Sequence, residues 1–414
     1  MIAPMRRTAG PSIALLVMTL LVMVAIVAGA ATRAVAQGPT PGPSTVISWP
    51  TVEAWLADVA RRVRLVLEDA QSPDAEPTAS ATADVRSMVG QKLMVRMNGA
   101  RPSKALLGRI RRGEVGGIVL LGSQVSTRSA LRTLTRTLQD AATTGGQPPL
   151  LIAVDQEGGA VKRLPWAPPT LSVPRMGQIG STAVARAQGR RTGRALLELG
   201  INADLAPVAD VPRSSRSFMF QQGRTFSFDA RTTARLADAF ASGLADAGVL
   251  ATMKHFPGIG RAIRNTDHFV EEIDASRSAM ESDLRPYRRA IAHDIPLIML
   301  SNATYPAFDP DNAAGWSRAV AVDLLRGQMG FQGVSITDSL DGTGHARGLT
   351  VRDLGLRAAV AGTDIILTTG SEKTTRRLYE TLLAAAADGT IPRAQLHASN
   401  DRILALKDTL APGD

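Results

Sequence analysis

The chain has 414 residues, a net charge of +10, an aromatic content of 4% and no cysteine. The missing cysteine excludes disulfides, thiolate metal sites, a Cys nucleophile and a lipid-modified N-terminal Cys. A basic chain this poor in aromatic stacking platforms is not read as a nucleic-acid binder; outside the cytoplasm it would meet anionic wall polymers or lipid headgroups.

Met1–Gln37 reads as a targeting segment. Arg6 and Arg7 form a positive start, and Ile13–Ala31 is an unbroken run of apolar or small residues. Ala34-Val35-Ala36 then fits a small-x-small cleavage site, with Gln37 as the first mature residue. The run is also long enough to span a bilayer, so an uncleaved anchor stays open beside a signal peptide. Either reading exports the rest of the chain. Residues 38–83 form a Pro/Gly/Ala-rich linker, GPTPGPS at Gly38–Ser44 and QSPDAEPTASATA at Gln71–Ala83. Between the two, Trp55, Leu56, Val59, Val63 and Leu67 fall at helical spacing over Val52–Leu67.

From Asp84 to Asp414 short apolar runs alternate with longer helical patterns. The candidate strands are Lys92–Met97, Gly117–Leu121, Leu150–Val154, Ile201–Ala206, Val249–Lys254, Leu297–Leu300, Val334–Thr337 and Asp364–Leu367. Helical patterns lie between most of them, as at Ser129–Ala142, Val184–Leu199, Arg231–Ala247, Ala279–Ala292 and Val351–Ala361. Eight strands with intervening helices predict an α/β fold, a single (β/α)8 TIM barrel, with an open doubly wound sheet as the alternative.

Polar groups recur at the carboxyl ends of these strands, where a parallel barrel carries its chemistry. Val154 is followed by Asp155, with Arg163 beyond a Gly-Gly turn; Met253 is followed by Lys254 and His255, and Thr337 by Asp338. Arg224 lies in the long connection after the fourth strand. Any one Asp after a strand reads equally as a helix cap or turn residue. Their recurrence at one topological position points to a common mouth.

At these residues the chain resembles glycoside hydrolase family 3, in its bacterial β-N-acetylhexosaminidase branch. The resemblance rests on VGQKLM (Val89–Met94), GGIVLLG (Gly116–Gly122), IAVDQEGGAVKRL (Ile152–Leu164), LGINADLAPVADV (Leu199–Val211), GRTFSFD (Gly223–Asp229), KHFPGIG (Lys254–Gly260) and GVSITDSL (Gly333–Leu340). It implies a retaining hydrolase with neither metal nor organic cofactor. Asp338 matches the nucleophile. Asp155, Arg163, Arg224, Lys254 and His255 match the residues that hold sugar hydroxyls and the acetamido group. Lys and Arg donors beside an Asp acceptor suit a ligand made of vicinal hydroxyls. Lys254 and Arg163 can equally offset the charge of Asp155 or Asp338.

The chain departs from the family in the loop after KHFPG. The family's GHG, four residues, then Asp-Ser-His becomes GIG with Asn265, Thr266 and Asp267 at the last three positions, and the histidine comes one residue late as His268. Asn302 stands where His is common, and Ser339 where a second Asp follows the nucleophile. Three readings of the acid/base stay open. His268 still reaches the leaving oxygen, partnered by Asp267; or Asp267 or Glu271 is itself the acid, as in two-carboxylate glycosidases; or proton transfer is lost and the protein only binds glycans. The expected activity is release of β-linked N-acetylglucosamine from muropeptide or other wall glycans, by a monomer with no nucleic-acid partner and no membrane contact beyond its N-terminus.

Overall fold

The computed structural model describes residues 79–122 and 127–410, with side chains from Val85 onward. The expected targeting segment, the Pro/Gly spacer and the Val52–Leu67 helix lie outside the described residues. A helix over Ala79–Gln91 leads into the domain, so residues 79–83, read above as linker, form its first turn.

Eight parallel strands follow: β1 Leu93–Arg96, β2 Gly117–Leu120, β3 Leu151–Val154, β4 Ala203–Asp204, β5 Leu250–Phe256, β6 Leu297–Leu300, β7 Val334–Thr337 and β8 Ile366–Thr368. Each pairs with its neighbour in sequence, and β1 pairs with β8. Ile365 joins β7 through Ser335 and Thr337, which closes the ring as a (β/α)8 barrel. All eight predicted strands are present within a few residues. Strands buried on both faces carry continuous apolar runs, which is why they stand out in the sequence.

Side chains alternate along each strand. Leu93, Val95, Ile118, Leu120, Ile152 and Val154 pack outward against the helices. Met94, Val119, Leu151, Ala153, Leu297, Met299, Val334, Ile336 and Leu367 fill the interior. Burying each Leu, Ile, Val or Met this way contributes about 1.5–3 kcal/mol. The helices present a matching stripe: Arg128–Thr144, capped by the Thr127 side chain on Ala130 N–H, buries Leu131, Leu134, Leu138 and Ala141. Ile403 and Leu406 of the C-terminal helix Arg393–Asp408 close the interior at the amino ends of the strands. The same alternation continues past the carboxyl ends. After Leu151 and Ala153 the next inward position is Asp155; after Val334 and Ile336 it is Asp338; after Thr252 it is Lys254. The barrel's own period therefore aims these three side chains at the mouth.

Two features were not predicted. Hairpins over 156–162 and 304–313 stand on the mouth after β3 and β6, and a π-helical segment, Ala319–Gln328, precedes β7. Among the described residues no helix is long and apolar enough to cross a membrane.

Candidate active site

A cavity of about 320 Å³ opens at the carboxyl ends of the strands. Its floor is the top interior layer, Val119, Leu205, Met299 and Leu367. Asp155, Arg163, Arg224, Lys254, His255, Asp267 and Asp338 all line it. Seven of the eight residues singled out above thus meet in one place; His268 does not.

The wall on the β3–β5 side is a network of ion pairs. Lys254 Nζ lies 2.7 Å from both Asp155 Oδ1 and Glu157 Oε1. Arg224 donates to Glu157 twice, from Nη2 at 2.7 Å and Nε at 2.9 Å. Arg163 stands 3.6 Å from the other oxygen of Asp155. The register of β5 against β6 shifts between Lys254 and Phe256, so that Lys254 and His255, joined by a cis peptide bond, both line the cavity. Burial alone would raise the Glu157 carboxyl, but Lys254 and Arg224 overcome it and hold it at about 2. The Lys254 ammonium is likewise held above its ordinary value by Asp155 and Glu157 against the effect of burial. Lys254 thus balances buried charge and is fixed at the cavity wall.

Glu157 and Asp210 were quoted within motifs but not singled out. Asp210 sits under the turn that follows β5. Its Oδ2 is 2.7 Å from His255 Nδ1, and its Oδ1 accepts the N–H of Ile259 at 2.8 Å. With Nδ1 occupied, only Nε2 of the ring is left for a ligand. Gly260 lets the turn approach, since a Cβ there would stand 2.0 Å from Val211 O. A carboxylate two residues from Asp155, or closing APVAD, was the available signal.

The opposite wall holds Asp338 and the altered loop. Asp338 Oδ1 accepts the N–H of Ser339 at 2.7 Å, at the start of the helix Leu340–Arg347. The loop is clamped at its base, where Glu271 accepts from Arg264 Nε at 2.7 Å and from Ile263 N–H at 3.1 Å. Glu271 is thereby committed outside the cavity lining. At its tip Asp267 O packs onto the helix Leu340–Arg347 that follows Asp338; a Cβ on Gly342 would meet that oxygen at 2.4 Å. Asn265, Thr266 and Asp267 line the cavity, whereas His268 is exposed and outside the lining. Burial, joined by the charge of Asp338, pushes the Asp267 carboxyl up to about 6, against smaller opposing effects of His255 and Arg224. One position of register separates the two residues, and the loop turns the acid inward and the imidazole outward. Among the described residues no cluster of His, Asp and Glu suits a metal ion.

The sequence model of the glycosyl hydrolase family 3 N terminal domain matches residues 84–406. An uncharacterized secreted glycosyl hydrolase of Arthroderma benhamiae is 34% identical, over 79% of this chain and 94% of its own. The β-hexosaminidase LpqI of Mycobacterium tuberculosis is 30% identical, over 80% and 85%. Among solved structures, a β-N-acetylhexosaminidase from Beutenbergia cavernae superposes with a TM-score of 0.73 at 32% identity, covering 78% of this chain and 98% of that one. A family 3 β-N-acetylglucosaminidase from Paenibacillus gives 0.74 at 31% identity, but the match spans 62% of its length. A barrel whose mouth pairs a strand-end Asp with a half-buried loop acid, matched along most of its length by these proteins, belongs to glycosyl hydrolase family 3, in its β-N-acetylhexosaminidase branch, and is a glycosidase.

Proposed function

We propose that the chain is an exported, retaining glycosidase that releases β-linked N-acetylglucosamine from muropeptide-type wall glycans, with Asp338 as nucleophile and Asp267 as acid/base. One observation carries the assignment of the acid: Asp267 is a half-buried carboxyl in the cavity of Asp338, with its affinity for a proton raised by burial and, next, by that neighbour. A carboxyl whose surroundings raise its proton affinity, set in the same cavity as a second carboxyl, is how an acid faces a nucleophile.

In the first step an Asp338 oxygen bonds to the anomeric carbon while the bond to the leaving oxygen breaks, and Asp267 gives that oxygen its proton. In the second, Asp267 takes a proton from water, whose oxygen replaces Asp338 at the same carbon. Asp155, Lys254, Arg163, Arg224 and His255 hold the sugar's hydroxyls and acetamido group. A protein that only bound glycans would have no use for a protonated acid facing Asp338. The likeness to a secreted hydrolase and the N-terminal Arg-apolar-small pattern support export.

The test is turnover of a chromogenic β-N-acetylglucosaminide by the full chain, with Asp338→Asn, Asp267→Asn and His268→Ala beside it. Loss of activity in the first two and its retention in the third is the expected result. Sugar binding without turnover by the unaltered protein would overturn the hydrolase reading. Loss in His268→Ala would return the acid to the imidazole.

A further inference from the structure

Ser339, directly after the nucleophile, and Thr369, after β8, both line the cavity. Their hydroxyl oxygens are 3.1 Å apart. Behind Thr369, Asp341 Oδ2 accepts the Thr369 N–H at 2.6 Å, the Thr369 hydroxyl at 3.2 Å and the Thr368 hydroxyl at 2.9 Å. A carboxylate accepts and does not donate. The Thr369 proton is therefore spent on Asp341, and Thr369 Oγ1 is free only to accept the proton of Ser339. With that proton spent in turn, Ser339 shows the cavity lone pairs and no donor.

The backbone of Ser339 is fixed on both sides. Its N–H goes to Asp338 Oδ1 at 2.7 Å, and its carbonyl accepts from Asn302 Nδ2 at 3.0 Å. The acceptor is thus held one residue from the atom that attacks the anomeric carbon. Of the groups around that carbon, the ring oxygen and the leaving oxygen carry no hydrogen. The donor nearest to it is on the substituent at C2, an acetamido N–H or a hydroxyl.

We propose that Ser339 is a specificity residue that accepts a hydrogen bond from the C2 substituent of the sugar, and that Asp341, acting through Thr369, is a positioning residue that fixes this polarity. The proposal rests on Asp338 being the nucleophile and deepens the reading of that site. Ser339 also occupies a position where a second carboxylate is usual, so the chain keeps an acceptor there without adding a charge beside the nucleophile.

The experiment compares kcat/KM for the p-nitrophenyl β-glycosides of N-acetylglucosamine and of 2-deoxyglucose, which lacks the donor. Ser339→Ala lowers kcat/KM on the first by about tenfold, the scale of one hydrogen bond, and leaves the second unchanged. Asp341→Leu, which alters no cavity-lining side chain, lowers the same ratio; Asp341→Asn, whose amide oxygen still accepts, restores it. Equal losses on both substrates, or an Asp341→Leu variant that melts earlier with the ratio unchanged, would overturn the proposal. If the unaltered chain turns over neither glycoside, calorimetric binding of free N-acetylglucosamine and 2-deoxyglucose carries the same comparison. A preference for the first sugar that vanishes in Ser339→Ala would then uphold Ser339 while the hydrolase reading falls.

Discussion

Two clusters of buried charge sit at opposite ends of one barrel. At the carboxyl end, Asp155 and Glu157 meet Lys254, Arg163 and Arg224 around the open cavity. At the amino end, Asp364 meets Arg326 and Arg402, with Lys92 close behind. The composition is alike; the surroundings are not. Below, Lys92 Nζ donates to Thr363 O and Ser399 Oγ, and Arg326 and Arg402 close on Asp364, although Arg402 also borders a separate cavity that holds neither Asp267 nor Asp338. Above, the paired groups keep one face toward a cavity that also holds Asp267 and Asp338. Buried charge alone is therefore no sign of catalysis. What marks the upper cluster is that its cavity also holds two further carboxyls, Asp338 and Asp267, the latter with no cation hydrogen-bonded to it among the described residues.

Four tests, using five substitutions, probe that contrast. The largest effect belongs to Asp338→Asn, expected to lower kcat by at least about 10³-fold with an unchanged melting temperature. Kinetics and calorimetry on one preparation check both halves.

Next is Asp267→Asn, with a loss of about 10²–10⁴-fold, the usual contribution of a positioned proton donor. Its pH profile is the sharper readout. As the proposed acid, Asp267 would act in its protonated form, and its carboxyl is raised to about 6 in the free chain, so kcat/KM of the unaltered chain falls as pH rises through 6. The variant lacks that limb. His268→Ala changes kcat by no more than about twofold, as an exposed residue should.

Third, Asp364→Ala takes their carboxylate from two half-buried guanidinium groups and costs about 2–3 kcal/mol of stability, less than a fully buried pair would, with kcat per folded molecule unchanged. Urea unfolding measures it. Although burial opposes it, Arg326, Arg402 and Lys92 hold the Asp364 carboxyl below its ordinary value. Its contribution is therefore present above the unfolded carboxyl's range and lost as pH falls through the folded one. A large loss of kcat in Asp364→Ala would erase the distinction between the two ends.

The smallest effect concerns Lys407, whose ammonium burial lowers to about 7 while it donates to Gln91 Oε1 and Gly116 O. Between pH 7 and about 10 the unfolded chain binds the proton that the folded one has released, so stability gained through this group rises with pH. The melting temperature of the unaltered chain should climb relative to Lys407→Met by a few degrees across that window. A constant difference would mean that Lys407 stays charged.

How much of this was legible in the sequence follows from the same two ends. The barrel was, because strands buried on both faces are written as apolar runs, and so were the residues the strand period carries to the mouth, Asp155, Lys254 and Asp338. The orientation of the loop was not. Whether Asp267 or His268 turns inward depends on where its backbone meets Gly342, a contact between segments 75 residues apart that no local pattern records. Glu157, Asp210 and Asp341 were missed for a related reason. Their partners come from other strand ends, and only closure of the barrel brings them together.

The C-terminal helix has a consequence for how the chain comes to be folded. Ser399, Arg402 and Lys407 reach Lys92, Asp364 and Gln91, so the residues leading into the first strand find buried partners more than 300 residues downstream. Until synthesis passes residue 368 β1 has no β8 beside it, and until it reaches that helix it has no cover beneath it; closing so long a loop is a late and slow event. The nascent chain is thus a stack of incomplete β/α units with polar groups awaiting their counterparts. A product ending before residue 393 keeps every cavity-lining residue and still lacks the piece that makes the ring hold.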